Sequence, residues 1–129
     1  MARYLTQEWL DETRAMAADQ PERPGATVRM NYVVQDVPDR GEVTYHWLLE
    51  NGKLLASDLG ALEDAEVTLT MAYTDAVDMT RLELDMNAAF MQGRVKVTGN
   101  MAKLMSLLPL TNAPEYKALQ ERIKEATEF

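Results

Sequence analysis

Cysteine is absent from the 129-residue chain. Disulfides and thiolate-bound metal are thereby excluded, nothing argues for an extracellular setting, and packing has to hold the fold together. Histidine is nearly as scarce, with His46 the only one. Without cysteine beside it a zinc site lacks its usual donors, and neither a metal nor a cofactor is expected. Long apolar runs are missing as well. No stretch approaches the ~18 residues of a membrane span, and the opening MARYLTQEWLDET has no uninterrupted apolar core of a secretory signal, so a cytoplasmic protein is the expectation. HExxH, GxSxG, the P-loop and GxGxxG do not occur, which leaves no short catalytic or nucleotide-binding motif. Positive charge is short too: 13 Lys and Arg face 21 Asp and Glu, a net charge of −8. That disfavours nucleic acid and anionic membranes as partners. The deficit is uneven. Residues 1–89 carry 17 acidic and 7 basic side chains and residues 90–129 carry 4 and 6, so an anionic group is better received by the C-terminal third.

What is present suits a single domain over residues 1–129: 47% of the chain is hydrophobic, enough for a sizeable core. Thr6, with Leu5 before it and Leu10 after it, reads as an N-cap with a hydrophobic staple. Trp9, Thr13, Met16 and Ala17 continue one helical face until ADQPERPG ends it. The period then changes to two. Val28, Met30, Tyr32 and Val34 alternate with their neighbours, PDRG turns the chain, and Val43, Tyr45, Trp47 and Leu49 alternate again. Asn51-Gly52 predicts a two-residue hairpin with KLLASDL returning alongside. Val67, Leu69 and Met71 make a fourth strand, and residues 74–92 return to helical spacing, one segment holding Val77 and Met79–Leu82 and the next Met86–Phe90. Gly93 closes the helix before a fifth strand, RVKVT. After Gly99, Asn100 caps a helix whose apolar face holds Met101, Leu104, Met105 and Leu108. Asn112 and Glu115, at capping-box spacing, open a last helix striped with Tyr116, Leu119, Ile123 and Ala126.

Little in this pattern points to catalysis. Alternation turns His46 to the face away from Tyr45 and Trp47, with no carboxylate or nucleophile at a recognisable spacing, so it reads as a partly exposed strand residue. Asp75, Asp78, Glu83 and Asp85 read as helix N-terminal and solvated charge. The nine methionines are more informative. Six of them, Met71, Met79, Met86, Met91, Met101 and Met105, lie from the fourth strand onward. Methionine fills irregular cores, and it also lines apolar sites that adapt to a ligand.

The segment AFMQGRVKVTGNMAKLM, Ala89–Met105, resembles the A-F-F-x-G-K-L-K-I-x-G-N-M signature of the sterol carrier protein 2 family, which joins a helix, the last strand and the following helix. The likeness runs back without a gap through VTLTMAYTDAVDMTRLELDMNAAF, and the first helix and three-strand meander agree in order. The resemblance implies an α+β fold: a five-stranded, mainly antiparallel sheet with helices packed on one face, enclosing an apolar tunnel. It also implies a non-catalytic carrier of sterol, fatty acid or fatty acyl-CoA. Carried over onto this sequence, the lining would include Phe90, Met91, Val95, Val97, Met101, Leu104, Met105 and Leu108. Arg94, Lys96 and Lys103 are candidate head-group contacts. A lipid- or steroid-metabolising enzyme is a possible partner on that reading.

Several positions depart from the family pattern. Leu108 stands where many members carry glutamine, which removes a polar anchor. Met86-Asn87 replace a common proline, Leu82 a glycine, and the ending EATEF lacks the peroxisomal tripeptide. Two other classes compete. A cone-shaped enzyme of the steroid isomerase type would need a buried acid, Asp58 or Asp75, beside Tyr73 or Tyr116. An interaction module would fill the same groove with a segment of another protein.

Overall fold

A computed structural model describes Met1–Phe129. The chain runs through β1 (Ala2–Arg3), α1 (Gln7–Met16), a 3-10 turn (Ala17–Asp19), β2 (Val28–Val37), β3 (Gly41–Glu50), β4 (Lys53–Leu59) and β5 (Val67–Ala72). It continues through α2 (Tyr73–Thr80), α3 (Met86–Met91), β6 (Val95–Gly99), α4 (Met101–Met105), α5 (Leu108–Thr111), α6 (Pro114–Ala126) and β7 (Thr127–Glu128). The fold is α+β, built on a five-stranded sheet of order β4-β3-β2-β5-β6. Within this sheet only β2 and β5 pair in parallel; the other three ladders are antiparallel.

Register gathers most of the apolar residues of β2, β3, β5 and β6 on one face. Tyr45, Tyr32, Leu69 and Val97 form one row across the sheet, and Val43, Val34, Met71 and Val95 form the next. The alternate row, His46, Asn31, Thr68 and Thr98, is polar and lies on the other face. One face therefore packs and the other is solvated, as period-two patterning requires. The β4–β5 connection crosses the polar face, where both ends of the Asn31 amide bond the backbone of Leu62 at 3.0 and 2.9 Å.

Local signals explain most of the elements. Thr6 caps α1 by accepting from the Trp9 N–H at 3.2 Å, and Asn100 caps α4 by accepting from the Lys103 N–H at 3.2 Å. Asn51 and Gly52 both adopt positive φ, 49° and 82°, as a two-residue hairpin between twisted strands demands. Three elements differ from the sequence reading. The helical stretch 74–92 is broken at Arg81–Asp85, where Leu82 takes φ 62° and Asp85 caps a fresh helix through the Ala88 N–H. Asn112 and Glu115 form no capping box: Asn112 closes α5, Ala113 is the N-cap of α6, and Pro114 opens the helix with its fixed φ. Glu115 instead lies 3.0 Å from the Arg23 guanidinium. Finally, β1 and β7 pair in parallel and bring the two ends of the chain together, Ala2 opposite Thr127. Two-residue strands carry no periodicity, so nothing in the sequence announces them.

Candidate functional site

The packed face of the sheet is uneven in the size of its side chains. Val34, Val43, Met71 and Val95, at one end of the strands, are all buried in the core. Towards the other end the sheet presents Met30, Tyr32, Trp47, Leu49, Leu69 and Val97 to a cavity of about 740 Å³. The opposite wall comes from Met79 on α2, the Leu82–Leu84 turn, Met86 and Phe90 on α3, Met101, Leu104 and Met105 on α4, the α5 segment, and Tyr116, Lys117 and Gln120 on α6. Of 26 lining residues, 19 are hydrophobic. The size falls in the range of about 300–1,000 Å³ typical of small-molecule sites, and the lining is of the same character. A cavity persists here because α3, α4 and α5 are only 6, 5 and 4 residues long. Helices of one or two turns cannot lay a continuous apolar ridge into the groove above a sheet.

A second chamber of about 140 Å³ adjoins the first, sharing Tyr32, Trp47, Met79, Leu82, Met86, Tyr116 and Gln120 with it. Its remaining walls are Tyr4, Trp9, Thr13, Tyr45, Met71, Ala76, Thr80 and Ile123. Aromatic rings dominate it. Tyr32 stacks on Tyr45 at 4.7 Å between centroids, Trp9 meets Tyr45 edge-on at 5.9 Å, and Trp47 meets Tyr32 edge-on at 5.6 Å. Burial raises the pKa of all four tyrosines above the ordinary value near 10: Tyr4 and Tyr116 to about 12, Tyr32 and Tyr45 further. Among them only Tyr4 is well bonded, to Ala76 O at 3.2 Å and Thr80 Oγ1 at 2.9 Å.

Most of the side chains singled out from the sequence meet at this cavity. Phe90, Val97, Met101, Leu104, Met105 and Leu108 all line it. Met91 and Val95 do not. Met91, one residue and so about 100° around the helix from Phe90, is 86% exposed. Val95 stands opposite Met71 in the closed end of the core. Arg94 lies 3.9 Å from Asp75 and Lys103 3.5 Å from Glu66, while Lys96 is exposed on β6 opposite Thr70. The cation that does line the cavity is Lys117. His46 sits on the solvated face with Nδ1 2.9 Å from Gly60 O and Nε2 3.7 Å from Asp58. Asp58 and Asp75 both lie outside the cavity; its carboxylates are Asp85 and Glu121.

Sequence reasoning passed over the sheet wall and α6. The alternating run of Tyr32, Tyr45 and Trp47 showed that these rings share a face, but a strand pattern does not reveal whether the facing layer closes over it. One further feature emerges only in three dimensions. Leu82, Met86, Phe90, Met101 and Met105, all lining the cavity, are 38–54% exposed, so the cavity opens to the surface through an apolar rim.

Known proteins share both the sequence pattern and the fold. Sterol carrier protein 2 of Homo sapiens is 35% identical over 86 residues, covering 64% of this chain and 15% of that protein. The chain thus spans a small part of the length of its curated relatives. A crystal structure of sterol carrier protein 2 superposes with a TM-score of 0.73 at 14% identity, covering 95% of this chain and 98% of that one. A solution structure of a conserved protein from Thermus thermophilus superposes with a TM-score of 0.64 at 18% identity, covering 98% and 92%. At such identities the likeness is one of fold. The model of the SCP-2 sterol transfer family matches residues 13–112, from within α1 to the end of α5, taking in the whole sheet and all of the cavity wall except α6. On that match the chain belongs to the SCP-2 sterol transfer family.

Proposed function

We propose that the protein binds a lipid in the 740 Å³ cavity and carries it, without chemical change, between sites of supply and use. The observation that carries this reading is the cavity itself: an apolar space walled by the packed face of the sheet and by short helices, in a member of a sterol transfer family. Sterols, fatty acids and fatty acyl-CoA are the ligand classes it suits. Removing roughly 400 Å² of lipid surface from water is worth about 10 kcal/mol at ~25 cal/mol per Å². Ordering the partners takes back several kcal/mol, which leaves micromolar to nanomolar affinity. With Asp58 and Asp75 turned away from the cavity, the acid–tyrosine pair of an isomerase is not assembled there; turnover of a Δ5-steroid at high protein concentration would revive that reading.

Native mass spectrometry of protein purified without detergent tests the carrier reading. A mass increment that resolves to lipid is expected, and a clean mass that also refuses added lipid would favour the interaction module, for which the apolar rim is the other natural use. Leu104→Trp fills the cavity from α4, a helix with no buried residue of its own. Lipid affinity should fall at least about tenfold while the unfolding midpoint changes little.

An anionic head group would be drawn to the rim by Lys117, with Lys96 adding longer-range attraction while Asp75 and Glu66 offset Arg94 and Lys103. Lys117→Glu should weaken a long-chain acyl-CoA about three- to tenfold and leave a neutral sterol within about twofold. Equal effects on both would dispose of the head-group reading. At a net charge of −8 the protein is repelled by anionic bilayers, so delivery to a lipid- or steroid-metabolising enzyme is the route this reading favours.

A further inference from the structure

The aromatic chamber beside the main cavity holds more hydrogen-bonding capacity than the protein itself uses. The Tyr32 hydroxyl donates to Met30 Sδ at 3.9 Å, a long contact to a weak acceptor. The Tyr45 and Tyr116 hydroxyls bond no protein group, yet neither is closed off from solvent, and both residues line the chamber. The indole N–H of Trp47, a residue common to both cavities, is buried without a partner. Leaving the indole N–H unsatisfied costs about 1–3 kcal/mol, whereas hydroxyls that face the chamber without a protein partner are free to bond whatever enters it. The contrast with Tyr4 is direct, since its hydroxyl in the same chamber finds both a carbonyl and a threonine.

The chamber also lacks charge. Its 15 lining residues include no Lys, Arg, His, Asp or Glu; Thr13, Thr80 and Gln120 are the only polar side chains beyond the tyrosines and tryptophans. A carboxylate or phosphate brought here would be desolvated with no counter-charge, which costs several kcal/mol. A neutral alcohol or carbonyl meets no such penalty. Tyrosine hydroxyls both donate and accept, so an alcohol can give its proton to one and take a bond from another. Two of the residues that complete the chamber, Tyr116 and Gln120, come from α6, beyond the family match at residues 13–112.

We infer that the aromatic chamber is a subsite for the uncharged oxygen of the cargo, an alcohol or carbonyl, held by Tyr32, Tyr45 and Tyr116 while the apolar body fills the larger cavity. The inference rests on the lipid-carrier reading and narrows it. Cargo enters oxygen first, neutral oxygenated lipids are preferred, and an ionised head group has to stay at the rim.

A matched ligand series separates the two levels. Dodecane, 1-dodecanol and dodecanoate share one chain and differ at its end; their binding is followed by Trp47 and Trp9 fluorescence at pH 8. A purely apolar site prefers the alkane, because the alcohol loses the hydration of its hydroxyl on entry. The subsite predicts the reverse, with dodecanol at least about tenfold tighter than dodecane and tighter than dodecanoate. In the double variant Tyr45→Phe with Tyr116→Phe, the dodecanol advantage should shrink about tenfold while dodecane binding stays within twofold. Dodecane binding as well as dodecanol in the unmodified protein would overturn the subsite and leave the carrier reading standing. Dodecanoate binding tightest would place the charged end in the protein and overturn it likewise. Failure of all three to bind would remove the carrier reading and the subsite together.

Discussion

Between pH 10 and 12 the protein is expected to lose most of its stability. The cause is a set of four tyrosines, Tyr4 and Tyr45 buried in the core and Tyr32 and Tyr116 partly buried beside the cavity. Desolvation pushes Tyr4 and Tyr116 up to about 12 and raises Tyr32 and Tyr45 as well. In the unfolded chain each ionises near its ordinary value of about 10. Above that value the unfolded state therefore binds fewer protons than the folded state, and the free energy of unfolding falls as pH rises. The stabilisation is complete below pH 10 and is lost progressively through the folded values. Each tyrosine contributes a slope approaching about 1.4 kcal/mol per pH unit, so four together approach ~5 kcal/mol per unit. That rivals the total stability of a small domain, about 5–15 kcal/mol. Urea midpoints at pH 8, 10 and 11, with absorbance at 295 nm to count phenolates, measure it directly. Replacing Tyr45 by Phe should flatten the slope by one tyrosine's share. Phenolate absorbance that develops in the folded protein near pH 10 would mean that the rings are not enclosed.

Gly99→Ala is expected to cost about 3–5 kcal/mol, far more than an ordinary helix or strand substitution. Gly99 ends β6 at φ 105°, a backbone conformation that L side chains rarely adopt. Space is the second obstacle. A Cβ added there would lie 2.2 Å from Glu66 O and 3.2 Å from Val67 Cα. Glu66 O cannot move aside freely, because it accepts the Asn100 N–H at 2.8 Å and so fixes the turn from β6 into α4. Gly93 provides the control. It also has positive φ, 76°, but an added Cβ meets nothing within 4 Å. Gly93→Ala should therefore cost only about 1–2 kcal/mol. Equal losses in the two variants, read from urea unfolding, would show that backbone conformation alone matters and that β5 and β6 tolerate separation. The pair of glycines in GRVKVTG thus has two different reasons.

Those glycines belong to the part of the chain that was most legible in advance. Alternation gave β2, β3, β5 and β6 and the face they bury, with two to four apolar residues at period two in each, and the Asn51-Gly52 hairpin gave β4. Capping residues gave the starts of α1 and α4. The parallel pairing of β2 with β5 was hidden, because period-two patterning is the same for both directions of pairing. The capping box proposed at Asn112 and Glu115 failed where a competing rule applied: Pro114 opens a helix by fixed φ, without a side-chain cap. Of the cavity, the helix face with Phe90, Leu104 and Met105 was visible through the resemblance and the methionine pattern. The sheet wall and Tyr116 were not. A ring that lines a cavity and a ring that fills a core share the same strand alternation, and only the length of the helices opposite distinguishes them.

Those unequal walls bear on how long a bound molecule stays. The strands beneath the cavity are joined by continuous ladders, and β2 is paired on both edges. Across from them, α4 has no buried residue, α3 only Ala89 and α5 only Leu110. Regions with little burial open at low free energy, independently of global unfolding. For the proposed cargo, residence time would be a property of the helical side: its amides should take up deuterium while those of β2 and β5 stay protected, and cargo should slow the helical exchange alone. The escape rate of the ligand can be tuned at α3 to α5 while the sheet, and with it the melting of the whole, is left alone.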